Sequence, residues 1–213
     1  MLEVEELLER LVQERNEKLH PDLEPYLEDG VLGAQIRHPF VYQVPLVSNG
    51  NANAYYLQKK KAVEEALASS AYGRFVFLHE RPYRLEAFVK IADKLPDAKY
   101  WSLLGSIWTD TENGWQNLEQ WKQLFSSSRP NRNFLMDENE QFGFENLGET
   151  FKVYRGCQEG LNEDGISWTL RPEKAQWFAN RFQKDGVVLE KVIAKQDAVA
   201  LFIGRNESEV VVI

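Results

Sequence analysis

A chain of 213 residues, 43% apolar and 27% charged, has the composition of a folded protein of one large or two small domains, not of a disordered segment. Its net charge of -8 is concentrated at one end: residues 1–30 hold ten carboxylates against three Lys/Arg, which leaves the other 183 residues at -1 with no basic stripe and argues against a nucleic-acid partner. Cys157 is the single cysteine, so an internal disulfide and a multi-cysteine zinc site are excluded; His20, His38 and His79 are scattered without metal-ligand spacing, and no metal is expected.

The opening residues Met1-Leu2-Glu3-Val4-Glu5-Glu6 lack the basic and continuously apolar pattern of a secretory signal, and no apolar run reaches membrane-spanning length. A cytoplasmic protein without a membrane partner is expected. Residues 3–19 place Val4, Leu7, Leu8, Leu11, Val12 and Leu19 on one helical face opposite the acids, and His20-Pro21 ends the run. This amphipathic helix docks on its own chain or on a partner. Residues 21–53 are rich in Pro, Gly and Asn and read as irregular, with one possible strand over 40–44.

Residues 54–67 read as a helix whose Lys59-Lys60-Lys61 run is a solvated face. Gly73 to Leu78 is a strand or the middle of a helix; periodicity does not separate the two over so short a run. Pro82 opens a helix with Leu85, Phe88, Val89 and Ala92 on its apolar face, and two more helices are predicted over 97–109 and 114–126. The near-heptad spacing of Trp101, Trp108, Trp115 and Trp121 is broken at Asn113-Gly114, so core packing is expected rather than a coiled coil or a ligand cage. Asp110 to Asn113 reads as a helix cap.

Polar stretches at 126–131 and 137–141 form a break, and after Gly148 the pattern changes from helical to β, so a boundary is expected near residue 147. Strands are predicted over 151–155, 166–170, 187–194, 198–203 and 209–213. A helix starts at Pro172, with Ala175, Phe178, Ala179 and Phe182 at i, i+3, i+4 and i+7. The expected architecture is α+β: a mainly helical region over 1–147, integrated with and packed on a compact β core over 148–213, because sixty-odd residues bury little core alone.

Three motifs stand on or beside these strands: Tyr154-Arg155-Gly156, Ser167-Trp168-Thr169 and Glu207-Ser208-Glu209. Each is common by chance; together, in this order, residues 149–213 resemble the arginine, Ser-x-Ser/Thr, Glu-x-Glu pattern of mono-ADP-ribosyltransferases. The resemblance implies cleavage of the N-glycosidic bond of NAD, used as a substrate, and transfer of ADP-ribose to an acceptor protein. An oxocarbenium-like transition state carries positive charge on the ribose, which a carboxylate beside it stabilises as it forms.

By resemblance Glu209 is that carboxylate, and Glu207 orients the acceptor nucleophile, with arginine the favoured acceptor. Arg155 offers its planar fork to NAD phosphates. Gly156 presents main chain to the nicotinamide, Ser167 positions the ribose and Glu209, and Thr169 supports the site. Phe178 or Trp177 stacks on the nicotinamide or simply packs the helix, while Trp168 faces the other side of its strand by alternation. The 54 positions from Arg155 to Glu209 are compressed for the larger toxin-type members. The helical half resembles uncharacterised phage and prophage proteins in its stretches 79–85 and 108–113, which suits a host-directed enzyme. Two alternatives stay open: an NAD glycohydrolase with water as acceptor, and a non-catalytic module that binds a protein through the same fold.

Overall fold

The computed structural model describes residues 17–112, 114–181 and 186–213, so most of the amphipathic stretch expected over 3–19, Asn113 and Phe182 lie outside the described residues. The chain is an α+β protein with two antiparallel sheets and, among the described residues, seven α-helices. None of these is long and apolar enough to cross a membrane. Contacts divide the chain into two compact units, one ending at Leu95 and the other beginning at Pro96.

In the first unit, Leu27–Gly30 (β1), Gly33–His38 (β2) and Val41–Gln43 (β3) form a three-stranded sheet in sequence order. The sequence shows an irregular stretch here with one possible strand. The difference has a physical source: β1 reads Leu-Glu-Asp-Gly, poor in β-formers, and is held by its pairing, Gly30 opposite Gly33 across a two-residue turn of Val31 and Leu32. The sheet buries Ile36 and Val41 with Leu19, Leu23, Ala52 and Tyr56.

Asn49–Ala68 (α1) starts where the Ser48 side chain accepts the Asn51 N–H at 3.1 Å, a side-chain cap. Its lysine run is not simply solvated. Lys59 Nζ donates to the Leu78 carbonyl at 2.8 Å, and Lys60 pairs with Asp22 at 3.0 Å, so the run ties α1 to its neighbours. Tyr72–Leu78 (α2) resolves the strand-or-helix ambiguity as helix, and Arg84–Ile91 (α3) follows Pro82 as expected, burying Leu85 and Phe88, whereas Val89, expected on the same face, is exposed.

The three histidines, scattered in sequence, meet in one aromatic cluster. His38 lies edge-on to Tyr26, Phe40 and Tyr56 with centroids 4.6, 5.2 and 5.1 Å away; His79 meets Phe40 and Phe75; His20 meets Tyr56. His38 Nδ1 accepts the Phe40 N–H at 3.0 Å. Burial holds the His38 pKa down to about 4, His79 and Lys60 push the same way, and Asp22 opposes them. The unfolded chain, with its histidine near 6.5, therefore binds the extra proton between those values. The part of the stability linked to His38 is full above pH 6.5 and is lost as pH drops toward 4, a change of about 3 kcal/mol. Chemical unfolding at several pH values checks this: the His38→Asn variant, which keeps an acceptor near Nδ1, is expected to lose that part of the acid sensitivity.

The second unit starts with Asp97–Asp110 (α4), Leu118–Phe125 (α5) and Glu138–Glu145 (α6). Trp101 and Trp121 are fully buried and Trp108 nearly so, its ring 4.9 Å from Trp121, which is the expected core packing; Trp115 is instead 59% exposed. Asp110 closes α4 rather than opening the next helix. The polar run at 137–141 is a helix start and not a break: Asp137 accepts the Glu140 N–H at 2.8 Å, and Glu140 accepts the Asp137 N–H at 3.0 Å.

The β elements are Thr150–Gln158 (β4), Ser167–Thr169 (β5), Gly186–Ala194 (β6), Ala198–Phe202 (β7) and Glu209–Val212 (β8), with Pro172–Asn180 (α7) between β5 and β6. They pair in the order β6-β4-β5-β8-β7. The chain does not divide at 147, where the pattern changes, because α6 belongs to this sheet. Leu201 N–H meets Met136 Sδ at 3.2 Å, and Ile203 N–H donates to Glu140 Oε1 at 3.1 Å.

Candidate functional site

Strands β4 and β6 pair along nine positions, whereas β4 meets β5 through the single pair Tyr154–Thr169. Beyond that pair β4 follows β6 and β5 follows β8, so the sheet splits. The candidate residues gather at this split. On β5 and β8, Thr169 lies opposite Glu209 and Ser167 opposite Val211, which makes Ser167 and Glu209 diagonal neighbours on one face. Their side chains close the gap: Ser167 Oγ donates to Glu209 Oε1 at 2.5 Å. Glu209 is 7% exposed, a carboxylate held in a protected place.

Arg155 points into the split from β4. Its Nε and Nη2 donate to the Asn162 carbonyl at 3.1 and 2.9 Å, and its Nη1 donates to the Ser167 carbonyl at 2.5 Å. The guanidinium thus takes the place of the missing β4–β5 pairing and satisfies a carbonyl that the split leaves over. Burial pushes its pKa below the ordinary arginine value, and Cys157, Asp164 and, least of the three, Glu209 oppose that shift. Gly165 covers the fork; a Cβ there would lie 2.1 Å from Nη2. Three of the five guanidinium N–H groups are engaged by the chain's own backbone, so the open fork expected from sequence is in large part a clamp.

Thr169 holds the acidic turn. Its hydroxyl donates to the Glu207 carbonyl at 2.5 Å and accepts the Arg171 N–H at 3.1 Å. Arg171 in turn donates to Asn206 Oδ1 at 2.5 Å and to Glu173 at 2.6 Å. Asn206 and Ser208 take positive φ values of 56° and 45°, so Glu207, half-buried, sits between two left-handed residues. Asn accepts that conformation readily; Ser does so at a cost of about 1 kcal/mol. Sequence reasoning passes over Arg171 and Asn206, whose only signal is their closeness to two of the motifs.

Gly156 has a different surrounding from the one expected. A Cβ there would lie 1.9 Å from the Ala175 carbonyl oxygen and 2.6 Å from the Ala179 nitrogen, so its bare face is covered by α7. Phe178 lies on that helix, half-buried, with its ring edge-on to Trp177 at 5.0 Å; the hydrogen bonds that link Arg155, Ser167 and Glu209 do not include it. Trp168 faces away from Ser167, and Lys191 Nζ stands 4.0 Å from its ring centroid. Among the described residues no three His, Cys, Asp or Glu side chains form a metal-holding group. Compared with family models, with curated proteins and with solved structures, the chain finds no match in any of the three.

Proposed function

We propose that the protein is a mono-ADP-ribosyltransferase that moves ADP-ribose from NAD to an acceptor side chain, arginine favoured, on a host protein. The observation that carries this reading is the hydrogen bond of Ser167 to the buried Glu209, with Arg155 bonded to the Ser167 carbonyl. A carboxylate fixed in a protected site stabilises positive charge on a ribose only as that charge forms. In the reaction the bond between the ribose C1′ and the nicotinamide nitrogen breaks, and its electrons leave with nicotinamide. An acceptor nitrogen then bonds to C1′ and gives up its proton to Glu207. Arg155 acts first by holding β4 to β5 at the split, and its remaining N–H groups are those left for a phosphate.

A second reading is a non-catalytic binding module on the same scaffold. What favours it is the engagement of the Arg155 fork by Asn162 and Ser167. Incubation with labelled NAD and a host lysate separates the two: the transferase labels protein and releases nicotinamide, whereas release without labelling selects an NAD glycohydrolase. Neither event, together with no NAD-dependent thermal shift, leaves only the binding module. The Glu207→Ala variant is expected to lose protein labelling by about 100-fold while it keeps nicotinamide release within about threefold.

A further inference from the structure

The turn that carries Glu207 is held by the residues that join β5 to α7. Leu170 N–H donates to the Ser208 carbonyl at 3.1 Å, the Thr169 hydroxyl to the Glu207 carbonyl at 2.5 Å, and Arg171 Nη1 to the Asn206 carbonyl at 3.4 Å. Successive carbonyls of one segment thus face successive residues of the other. Arg171 Nη1 also donates to Asn206 Oδ1 at 2.5 Å. The main chain of Arg171 is a firm base for this grip: its N–H meets Thr169 Oγ1 at 3.1 Å, and its carbonyl accepts the Lys174 and Ala175 N–H groups at 3.0 and 3.2 Å. Glu173 Oε1, 2.6 Å from Nε, sets the direction of the fork. Such anchoring has a reason in the backbone. Asn206 and Ser208 are left-handed, with φ of 56° and 45°, and non-glycine residues keep that conformation where their surroundings impose it. Thr169 and Leu170 hold the carbonyls of Glu207 and of the residue after it, while the Arg171 side chain grips the residue before it. That side chain is 37% exposed, and an exposed ion pair adds little to stability. Its effect is on position.

We infer that Arg171 is a positioning residue for the transfer step: through Asn206 it fixes Glu207 where an acceptor nitrogen meets the ribose, and so sets how much ADP-ribose goes to protein and how much to water. This role rests on the transferase reading. In either outcome the bond from C1′ to the nicotinamide nitrogen breaks and its electron pair leaves with nicotinamide. The ribose cation then takes a lone pair from the acceptor nitrogen, whose proton passes to Glu207, or from water, whose proton passes to solvent. A misplacement of about 1 Å costs such a step up to about 100-fold, so a loosened turn slows capture by the acceptor. Glu209, on β8 and bonded to Ser167, still supports bond breaking. Water then takes the ribose.

The test uses the full chain with labelled NAD and host lysate, and counts label on protein per nicotinamide released. Arg171→Met keeps the apolar stem and removes the fork. The ratio is expected to fall about tenfold, with the difference found as free ADP-ribose. The melting temperature stays within about 2 °C of the wild type. Arg171→Lys, which still offers one donor to Asn206 Oδ1, recovers part of the ratio. Asn206→Gly keeps the left-handed turn and removes the side-chain acceptor, so it lowers the ratio as Arg171→Met does; combining the two lowers it by no more than about twofold further. An unchanged ratio in Arg171→Met, or independent effects of the two substitutions, overturns the positioning role and leaves the transferase reading in place. So does a loss of melting temperature above about 5 °C with labelling and release reduced alike, which makes Arg171 a structural group. A wild-type protein that releases no nicotinamide, or releases it without labelling, removes the transferase reading and this role with it.

Discussion

On the transferase reading, Glu209→Gln lowers nicotinamide release from NAD by about 10³-fold, close to 4 kcal/mol of transition-state stabilisation. Glutamine has the same shape and still offers an oxygen to the Ser167 hydroxyl, so the 2.5 Å contact has a successor and the fold is kept. What is lost is the negative charge, which matters only when the ribose becomes positive. The fall therefore belongs in kcat, with KM for NAD nearly unchanged and the circular dichroism spectrum intact. A variant that retained more than about a tenth of the wild-type rate would remove Glu209 from the chemistry.

Gly156→Ala is expected to destabilise the second unit by more than about 3 kcal/mol, read as a shift in the denaturant midpoint at constant slope. The added methyl meets backbone on two sides, the Ala175 carbonyl at 1.9 Å and the Ala179 nitrogen at 2.6 Å, and neither swings away as a side-chain tip does. Either α7 lifts from β4 or the strand bends at the residue next to Arg155. Overpacking usually costs roughly 1 to 3 kcal/mol, and two backbone clashes carry this case past that range. Unchanged stability with weaker NAD binding would instead give Gly156 to the ligand, the role that the family resemblance implies.

Much of the second unit is legible in the sequence because local and global signals agree there. Pro172 opens α7, Ala175 and Ala179 face the sheet, and the alternation around Val153 gives β4. The first sheet is not legible: Leu27-Glu28-Asp29-Gly30 has no strand signal of its own and becomes a strand through partners on β2. At the site, the residue types and their order were readable, and so was their position on strands. Arg155 shows the limit. Its partners are carbonyls of Asn162 and Ser167, and no residue identity announces where a backbone oxygen is left over. Gly156 shows the same limit in another form, since one glycine serves a ligand or a helix equally well until the helix is placed.

The contacts of Met136 with Leu201 on β7 and of Glu140 with Ile203, just past its end, reach across 65 and 63 residues of chain. Strand β7 is fully buried and pairs with β8, which carries Glu209. A slip of β8 by one residue would turn Glu209 to the Trp168 side of the sheet and bring Val210 beside Ser167. The helix that begins at Glu138 therefore helps decide which face the acid takes, although it lies before every motif. A truncated protein that begins at residue 148 keeps all three motifs yet strips the Leu201 and Ile203 N–H groups of their acceptors. On the transferase reading, a shortened protein is expected to need the whole second unit, from Pro96 onward.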